Sequence, residues 1–269
     1  MELPRDVPTD IDMSRPSAAR VYDYFLGGAH NFEIDRQLAE QIASMTPNLA
    51  DTMRAGRAFL RRAVRYLAAE GIDQYLDIGS GIPTVGNVHE VAQDANPTAR
   101  VVYVDIDPVA VMHSKSILDG NEWADAIQAD LRQPELILDE ARKLGLIDLS
   151  RPVAVLLAGV VHFVPDADHP GDVIRTLRDA TVPGSYLVIS HSTYEDQPQE
   201  MLDAQKLSAR TATEITLRSH AEIAGYFGDF ALVEPGLVHL PLWHPETPGD
   251  VDEHPERFGA FGGVGHKAG

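Results

Sequence analysis

The stretch QYLDIGSGIP at residues 74–83 joins an apolar run to an acidic residue and then to two glycines separated by one residue. This pattern is typical of a parallel strand that ends over a nucleotide-like ligand. Glycines let backbone N–H groups approach such a ligand, and the next helix N-terminus favours negative charge. Asp77 discriminates between ligands, because a carboxylate repels phosphate but suits the cationic sulfonium and ammonium groups of S-adenosylmethionine (SAM). The turn therefore favours a SAM site with Asp77, Gly79 and Gly81 as contacts.

An NAD site is the first alternative. Its fingerprint requires G-x-G-x-x-G, or alanine at the last place, and an acidic residue about 20 positions later. Gly79 and Gly81 fill the first two places, but Thr84 fills the third, and Pro83 lacks an N–H. Asp105 lies at a distance that either ligand accepts. A glycine turn that binds no ligand is the other alternative.

A second strand is predicted by the β-branched run RVVYVDIDP at residues 100–108. Asp105 at its end can accept both ribose hydroxyls, and Ile106 can lie against the adenine ring. Asp107 is predicted to cap the helix that Pro108 begins. Either acid can alternatively serve as that cap alone.

A third strand is predicted within AIQADL at residues 126–131, where the run breaks at an acid. Asp130 can take the adenine amino group while the Leu131 N–H meets a ring nitrogen; an isolated surface carboxylate is the alternative for Asp130. Ligands gather at the carboxyl ends of parallel strands. We therefore expect Asp77, Asp105 and Asp130 to converge along one crevice.

A candidate base follows the predicted fourth strand, in LLAGVVHFVPD at residues 156–166. The Ala158 carbonyl can receive the SAM ammonium. His162 can take a proton from an acceptor hydroxyl or amine, since histidine titrates near neutral pH. A histidine that bonds neighbouring backbone is an equal alternative, and His191 can equally line the substrate pocket. A metal site is disfavoured, because carboxylates near the helix start at Pro170 are better explained as caps. Its candidate ligands would be His162, Asp166, Asp168 and His169.

The rest of the chain predicts an α/β fold, because strands that alternate with helices require a parallel sheet covered on both faces. Predicted strands lie near residues 75–79, 101–105, 125–128, 153–158 and 185–190. Predicted helices lie near residues 17–26, 33–45, 48–70, 84–95, 108–119, 134–143 and 170–181, with a helical stretch near 197–226. Two later runs, 230–233 and 237–243, predict an antiparallel hairpin across Pro235 and Gly236.

Two regions are expected to form one structural unit. Residues 1–70 are predicted as an N-terminal helical cap or lid, with a loose terminus over residues 1–13. Residues 71–269 are predicted as the SAM-binding core, with the hairpin completing a seven-stranded sheet.

Composition limits the partners of the chain. The formal net charge is −19, from 41 acidic residues against 22 lysines and arginines, so a nucleic-acid substrate is disfavoured. The arginines between residues 54 and 65 are predicted as the solvated face of an amphipathic helix. Cysteine is absent, which excludes thiolate metal sites and cysteine nucleophiles. The sequence shows no signal segment and no apolar run long enough to span a bilayer, and predicts a cytoplasmic protein without a membrane partner.

The N-terminal stretch RPSAARVYDYFLGGAHNF at residues 15–32, followed by Asp35 and Arg36, resembles an actinobacterial SAM-dependent methyltransferase family formerly called a domain of unknown function. The resemblance runs from about residue 14 to the end and includes EPGLV at 234–238 and Trp243. Residues 75–191 resemble the wider Rossmann-like methyltransferases. The resemblance implies that fold and a SAM site, and it implies no substrate.

The same N-terminal motif suggests a lid. Gly28 follows a helix end and allows a close backbone approach, so the loop can fold over the methionine end of SAM. Tyr24 or Asn31 can then bond the ligand carboxylate or line the acceptor pocket. A capped helix packed on the sheet is the alternative.

The sequence therefore predicts a SAM-dependent methyltransferase that acts at oxygen or nitrogen of a small, neutral or cationic molecule. A SAM- or nucleoside-binding regulator without catalysis and an NAD-dependent oxidoreductase are the competing hypotheses. The sequence does not indicate the acceptor or the oligomeric state.

Overall fold

A computed structural model describes residues 15–46, 48–83, 86–197, 215–247, 249 and 251–269. Its helices are α1 Ala18–Phe25, α2 Glu33–Met45, α3 Leu49–Ala69, α4 Val88–Ala95, α5 Pro108–Ile117, α6 Pro134–Lys143, α7 Pro170–Asp179 and α8 His220–Gly225. Its strands are β1 Gln74–Ile78, β2 Arg100–Asp105, β3 Ala124–Gln128, β4 Ala154–Ala158, β5 Tyr186–Ser192, β6 Phe230–Leu232, β7 Val238–His239 and β8 Ala260–Lys267.

The strands form one mixed sheet in the order β3-β2-β1-β4-β5-β8-β6, and β7 pairs with β8 outside that path. Strands β1 to β5 are parallel, and β8 runs antiparallel to β5. The predicted α/β fold, with a mostly parallel sheet and antiparallel C-terminal strands, is confirmed. Within the described residues the sheet has eight strands, one more than the seven predicted. The carboxyl ends of β1, β2, β3 and β4 meet at one edge, where the site is expected.

The predicted pairing of the C-terminal hairpin is wrong. The runs around β6 and β7 pair with β8 and not with each other. Strand β8 was not predicted from the sequence, because glycines are unfavourable in strands. These glycines make room for aromatic rings: a Cβ on Gly262 would lie 2.8 Å from Phe59, and a Cβ on Gly265 would lie 2.7 Å from Phe227.

Most predicted element boundaries agree with the structure to within one or two residues. The helix predicted from residue 84 begins instead at Val88. In the helical stretch predicted over 197–226, residues 198–214 lie outside the described part, and His220–Gly225 is helical. Ser219 caps that helix by accepting the Glu222 N–H. The predicted loose terminus, residues 1–13, also lies outside the described part.

Apolar side chains cover both faces of the sheet. The fully buried stripe Phe59, Ala63, Val64 and Leu67 of α3 packs on one face, against strand residues that include Tyr75 and Val188. Helices α6 and α7 pack on the other face through a second cluster. A separate small cluster, built around Val21, Phe25 and Ala39, joins α1, α2 and the start of α3.

Candidate active site

The glycine turn after β1 lies at the centre of the site. Gly79 and Gly81 have φ angles of 72° and 67°, in the left-handed region that favours glycine. The Gly79 N–H donates to the Val104 carbonyl at 2.8 Å, which fastens the turn to β2. A Cβ on Gly79 would lie 2.2 Å from the Val160 Cγ2. Packing on Val160 therefore also requires glycine at position 79.

Asp105 ends β2 and joins two backbone segments. One carboxylate oxygen accepts the Gly81 N–H at 2.7 Å, and the other accepts the Asp107 N–H at 2.9 Å. Burial raises the pKa of Asp105, although both hydrogen bonds oppose the shift. Asp107 caps α5, as predicted, by accepting the Val109 N–H at 2.8 Å. The structure thus places the glycine turn in direct contact with Asp105.

Asp77 lies within β1, opposite Tyr103 of β2 and Leu156 of β4. Burial raises the pKa of Asp77 to about 7. The positive charge of Arg57 lowers that pKa, and the negative charge of Asp105 raises it. A carboxyl in this state is about half ionised at neutral pH. A cation beside it would stabilise the ionised form.

Arg57 is a residue of this site that the sequence analysis missed. Its Nη2 donates to the Ile82 carbonyl at 3.3 Å, and its guanidinium carbon lies 5.5 Å from the centre of the Tyr22 ring. A Cβ on Gly81 would lie 4.0 Å from the same Nη2. Helix α3 therefore places a positive charge beside the glycine turn.

The prediction of a solvated arginine face on α3 is wrong in part. Arg54, Arg61 and Arg65 are exposed, whereas Arg57 and Arg62 are half-buried. Arg62 donates to the carbonyls of Leu240 and Trp243, at 2.7 and 2.8 Å. A helical repeat identifies the apolar stripe, but it cannot identify which flanking residues a neighbouring turn will cover.

The residues predicted to contact adenine, Ile106, Leu131 and Asp130, lie in different surroundings. Ile106 is 57% exposed at the end of β2, next to Asp105, whereas the Leu131 side chain is buried in the core. Burial would raise the pKa of Asp130, but its hydrogen bonds with Arg132 hold that pKa below its usual value. Arg132 also donates to Asp168 at 3.2 Å. The third predicted carboxylate therefore belongs to an ion-pair network with Arg132.

Ala158 and His162 lie at the end of β4. Ala158 is opposite Ser190 of β5, and the following residue, Gly159, donates its N–H to the Ser190 carbonyl at 3.0 Å. His162 lies in the short 3₁₀ turn Val161–Phe163. Its ring is buried, and its Nδ1 has no hydrogen-bond partner among the described residues. The His162 imidazole therefore has an unused polar atom at this edge.

Charge and burial keep His162 neutral. Burial, together with smaller contributions from His191 and Arg218, lowers the pKa of His162 to about 3. Burial also lowers the pKa of His191 to about 4. The centres of the two rings lie 5.6 Å apart. A neutral imidazole with this pKa can share a hydrogen bond but accepts a proton poorly at neutral pH.

The N-terminal motif forms its own hydrogen-bond network. The Asn31 amide donates to Asp23 at 2.8 Å and to the Gly28 carbonyl at 3.0 Å, and its oxygen accepts from Arg36 at 3.1 Å. A Cβ on Gly28 would overlap the Asp23 carboxylate. The Tyr24 hydroxyl donates to Glu40 of α2 at 3.3 Å. These contacts account for the polar groups of Tyr24 and Asn31 within the cap, so their contact with a cofactor stays a prediction.

A buried ion pair fastens this cap to the core. The Arg20 Nε lies 2.8 Å from Asp35, and its Nη1 lies 3.3 Å from Asp107. Asp35 also accepts the N–H groups of Ser17 and Phe32. Because Asp107 caps α5 and binds Asp105, Arg20 connects the cap to the end of β2.

The carboxylates of the disfavoured metal site make other contacts. Asp166 accepts from Arg218 at 2.7 Å, and Asp168 pairs with Arg132. Over the part of the chain that the structure describes, no group of three or more His, Asp or Glu side chains is arranged to hold a metal ion.

A sequence profile of the S-adenosyl methyltransferase family matches residues 4–268, nearly the whole chain. The chain belongs to this family. Its cofactor is therefore SAM, and its family reaction is methyl transfer.

Solved structures from two actinobacteria agree. A candidate methyltransferase of Thermobifida fusca YX is 40% identical, with a TM-score of 0.91 over 99% of this chain and 100% of the other. A DUF574 family protein of Streptomyces avermitilis MA-4680 is 38% identical, with a TM-score of 0.90 over 95% of this chain and 99% of the other. The resemblance inferred from the N-terminal motif is confirmed.

More distant structures share the fold alone. An O-methyltransferase family protein of Burkholderia thailandensis is 14% identical, with a TM-score of 0.54 over 96% of this chain and 65% of the other. No curated protein matches this sequence. Within the described residues, no helix is both long and apolar enough to cross a membrane.

Proposed function

We propose that this methyltransferase binds SAM at the edge formed by the ends of β1, β2 and β4, and methylates oxygen or nitrogen of a small molecule. The observation that carries the proposal is the fixed Asp105 carboxylate, held by the Gly81 and Asp107 N–H groups beside the buried Asp77. Gly79, Leu131 and Ala158 supply backbone groups to the cofactor. A cytoplasmic location and the division into a cap, 1–70, and a core, 71–269, stay predictions.

The residues at this edge suit each part of SAM. Asp105 faces the ribose hydroxyls, and the exposed Ile106 offers an apolar surface to adenine. Asp77, half ionised at neutral pH, complements the cationic sulfonium and ammonium groups. Arg57 supplies the opposite charge, which the methionine carboxylate requires. The contact of Asp130 with the adenine amino group would require Asp130 to share its carboxylate with Arg132.

SAM supplies an electrophilic methyl group, so the protein has chiefly to align the acceptor and exclude water. His162 is the candidate residue on the acceptor side. With a pKa lowered to about 3 it remains neutral, so its role is to share a hydrogen bond with the acceptor rather than to hold its proton. The net charge of −19 favours a neutral or cationic small molecule over nucleic acid.

Titration calorimetry with SAM and with NAD tests the cofactor site. We expect SAM binding to the wild type and at least tenfold weaker binding to Asp105→Ala, because the ribose hydroxyls lose their acceptor. Asp119→Asn, an exposed residue beyond α5, is the matched control and should bind as the wild type does. Unchanged SAM affinity in Asp105→Ala would remove the ribose assignment, and binding of NAD in preference to SAM would remove the proposal.

Arg57→Met tests the position of the methionine carboxylate. We expect weaker binding of S-adenosylhomocysteine but unchanged binding of methylthioadenosine, which lacks the amino-acid group. Arg54→Met, on the exposed side of the same helix, should leave both affinities unchanged. An equal loss for both ligands would mean that Arg57 only supports the turn.

Methyl transfer from labelled SAM to a cell extract separates an enzyme from a SAM-binding regulator. We expect a labelled small-molecule product that disappears when the protein is heat-denatured. Binding of SAM without any transfer, across extracts of several growth stages, would favour the regulator.

A further inference from the structure

Arg218 is a buried cation next to His162, the candidate residue on the methyl-acceptor side of the site. Its side chain is 3% exposed, and its guanidinium donates to four acceptors, three within residues 161–166 and one in β5. These acceptors are the carbonyls of Val161 and Val164 at 3.4 and 2.9 Å, His191 Nε2 at 2.9 Å, and the Asp166 carboxylate at 2.7 Å. The contacts join the turn that carries His162 to the end of β5.

The contact with Arg218 determines the tautomer of His191. A guanidinium can only donate, so the His191 Nε2 must accept. The proton of the neutral ring then lies on Nδ1, which donates to the Ser192 carbonyl at 2.7 Å. The orientation of the His191 ring is fixed from both sides, and His162 packs against it.

We propose that Arg218 is a positioning residue of the methyl-acceptor site, which fixes His191 and through it presents the His162 Nδ1 as a free hydrogen-bond acceptor. This inference rests on the proposed function. The buried His162 Nδ1, which has no partner among the described residues, would gain most from a hydrogen-bond donor, so the site favours methyl acceptors that bring an O–H or N–H group. A substrate carboxylate would place a second hydrogen-bond acceptor against the lone pair of the His162 Nδ1, so carboxylic acids are disfavoured as substrates. The substrate class is therefore an alcohol, phenol or amine.

The charged groups around the His162 and His191 rings affect the protonation of both. His162 faces His191 and Arg218, which both oppose its protonation. His191 faces Arg218, which opposes its protonation, and the carboxylates of Glu222 and Asp166, which favour it. Loss of the Arg218 charge would therefore raise the pH at which either ring protonates.

Histidine NMR of the full chain tests the positioning role. Ring ¹³C and ¹⁵N resonances are followed from pH 5 to 9 and assigned with His162→Gln and His191→Gln. In the wild type we expect neither ring to titrate, His191 to hold its proton on Nδ1, and His162 to hold its proton on Nε2. In Arg218→Gln, the pKa of each ring should rise while burial still holds it below the ordinary value, and the His191 tautomers should mix.

Two further variants separate charge from geometry. Arg218→Lys keeps the charge and loses the planar fork, so it should keep both rings neutral while the His191 tautomers mix. Arg175→Gln, at an exposed ion pair on α7, is the matched control. The inference is overturned if both Arg218 variants behave as this control does, or if His162 holds its proton on Nδ1. Calorimetry with SAM is unaffected by either result, so failure of the cofactor site is recognised separately.

The substrate class has its own readout. Label transferred from SAM to extract components should remain after treatment with base, as ethers and N-methyl groups do. Methyl esters of carboxylic acids would release the label as volatile methanol, and that result would overturn the assignment to O–H and N–H donors.

Discussion

The buried carboxyl of Asp77 gives the cofactor site a pH dependence. Its pKa is raised to about 7 in the free protein, chiefly by burial, and a bound cation would favour the ionised form. SAM affinity should therefore rise as pH increases from 6 to 8, by up to about tenfold per pH unit below the pKa of Asp77. Calorimetry across this range checks the prediction. In Asp77→Asn this contribution should be absent, and an identical pH profile in both proteins would refute it.

The same carboxyl affects stability without any ligand. Because its pKa is higher in the folded than in the unfolded chain, Asp77 stabilises the fold most at low pH, and this contribution is lost as pH rises through about 7. Asparagine resembles the neutral acid at every pH. The stability of Asp77→Asn relative to the wild type should therefore increase between pH 5 and pH 8, as measured by urea unfolding. A constant difference would mean that Asp77 does not titrate in this range.

At the scale of elements, the cap depends on Arg20. Its partners Asp35 and Asp107 are buried, so Arg20→Met would leave two carboxylates without their cation. Breaking a buried pair in this way costs about 3–5 kcal/mol. Arg54→Met removes an exposed pair with Asp51 and should cost less than about 1 kcal/mol. Urea unfolding compares the two variants, and equal losses would show that Arg20 does not fasten the cap.

Sequence patterns predicted the elements that carry a clear period, and they failed where packing overrides propensity. The βα alternation located β1 to β5, because a buried parallel strand must be an apolar run. Strand β8 was missed, since Gly262 and Gly265 leave space for aromatic rings that only the folded chain brings there. The strand-end acids were recognisable from the sequence. Arg57 was not, because a helical period does not reveal which turn covers a flanking side chain.

At the scale of the whole molecule, we predict that the boundary between the cap and the core does not separate independent folding units. Helix α3 belongs to the first 70 residues, yet its fully buried Phe59 and Leu67 cover one face of the sheet. Phe59 also packs edge-to-face on the buried Trp243, with ring centres 5.5 Å apart. Removal of residues 1–70 would expose this face of the core to water.

We therefore predict one cooperative unfolding transition for the full chain. Tryptophan fluorescence includes Trp243 under α3, whereas far-ultraviolet circular dichroism follows all helices, and the two urea curves should coincide. A chain that begins at residue 71 should not give a cooperative transition, because the hydrophobic face that α3 covers would remain exposed. Removal of α1 and α2 alone, with α3 retained, should preserve cooperativity, since the cluster around Val21 and Ala39 contains no strand residue and involves only the start of α3. Two resolved transitions in the full chain, or cooperative folding from residue 71, would show that the core folds without α3.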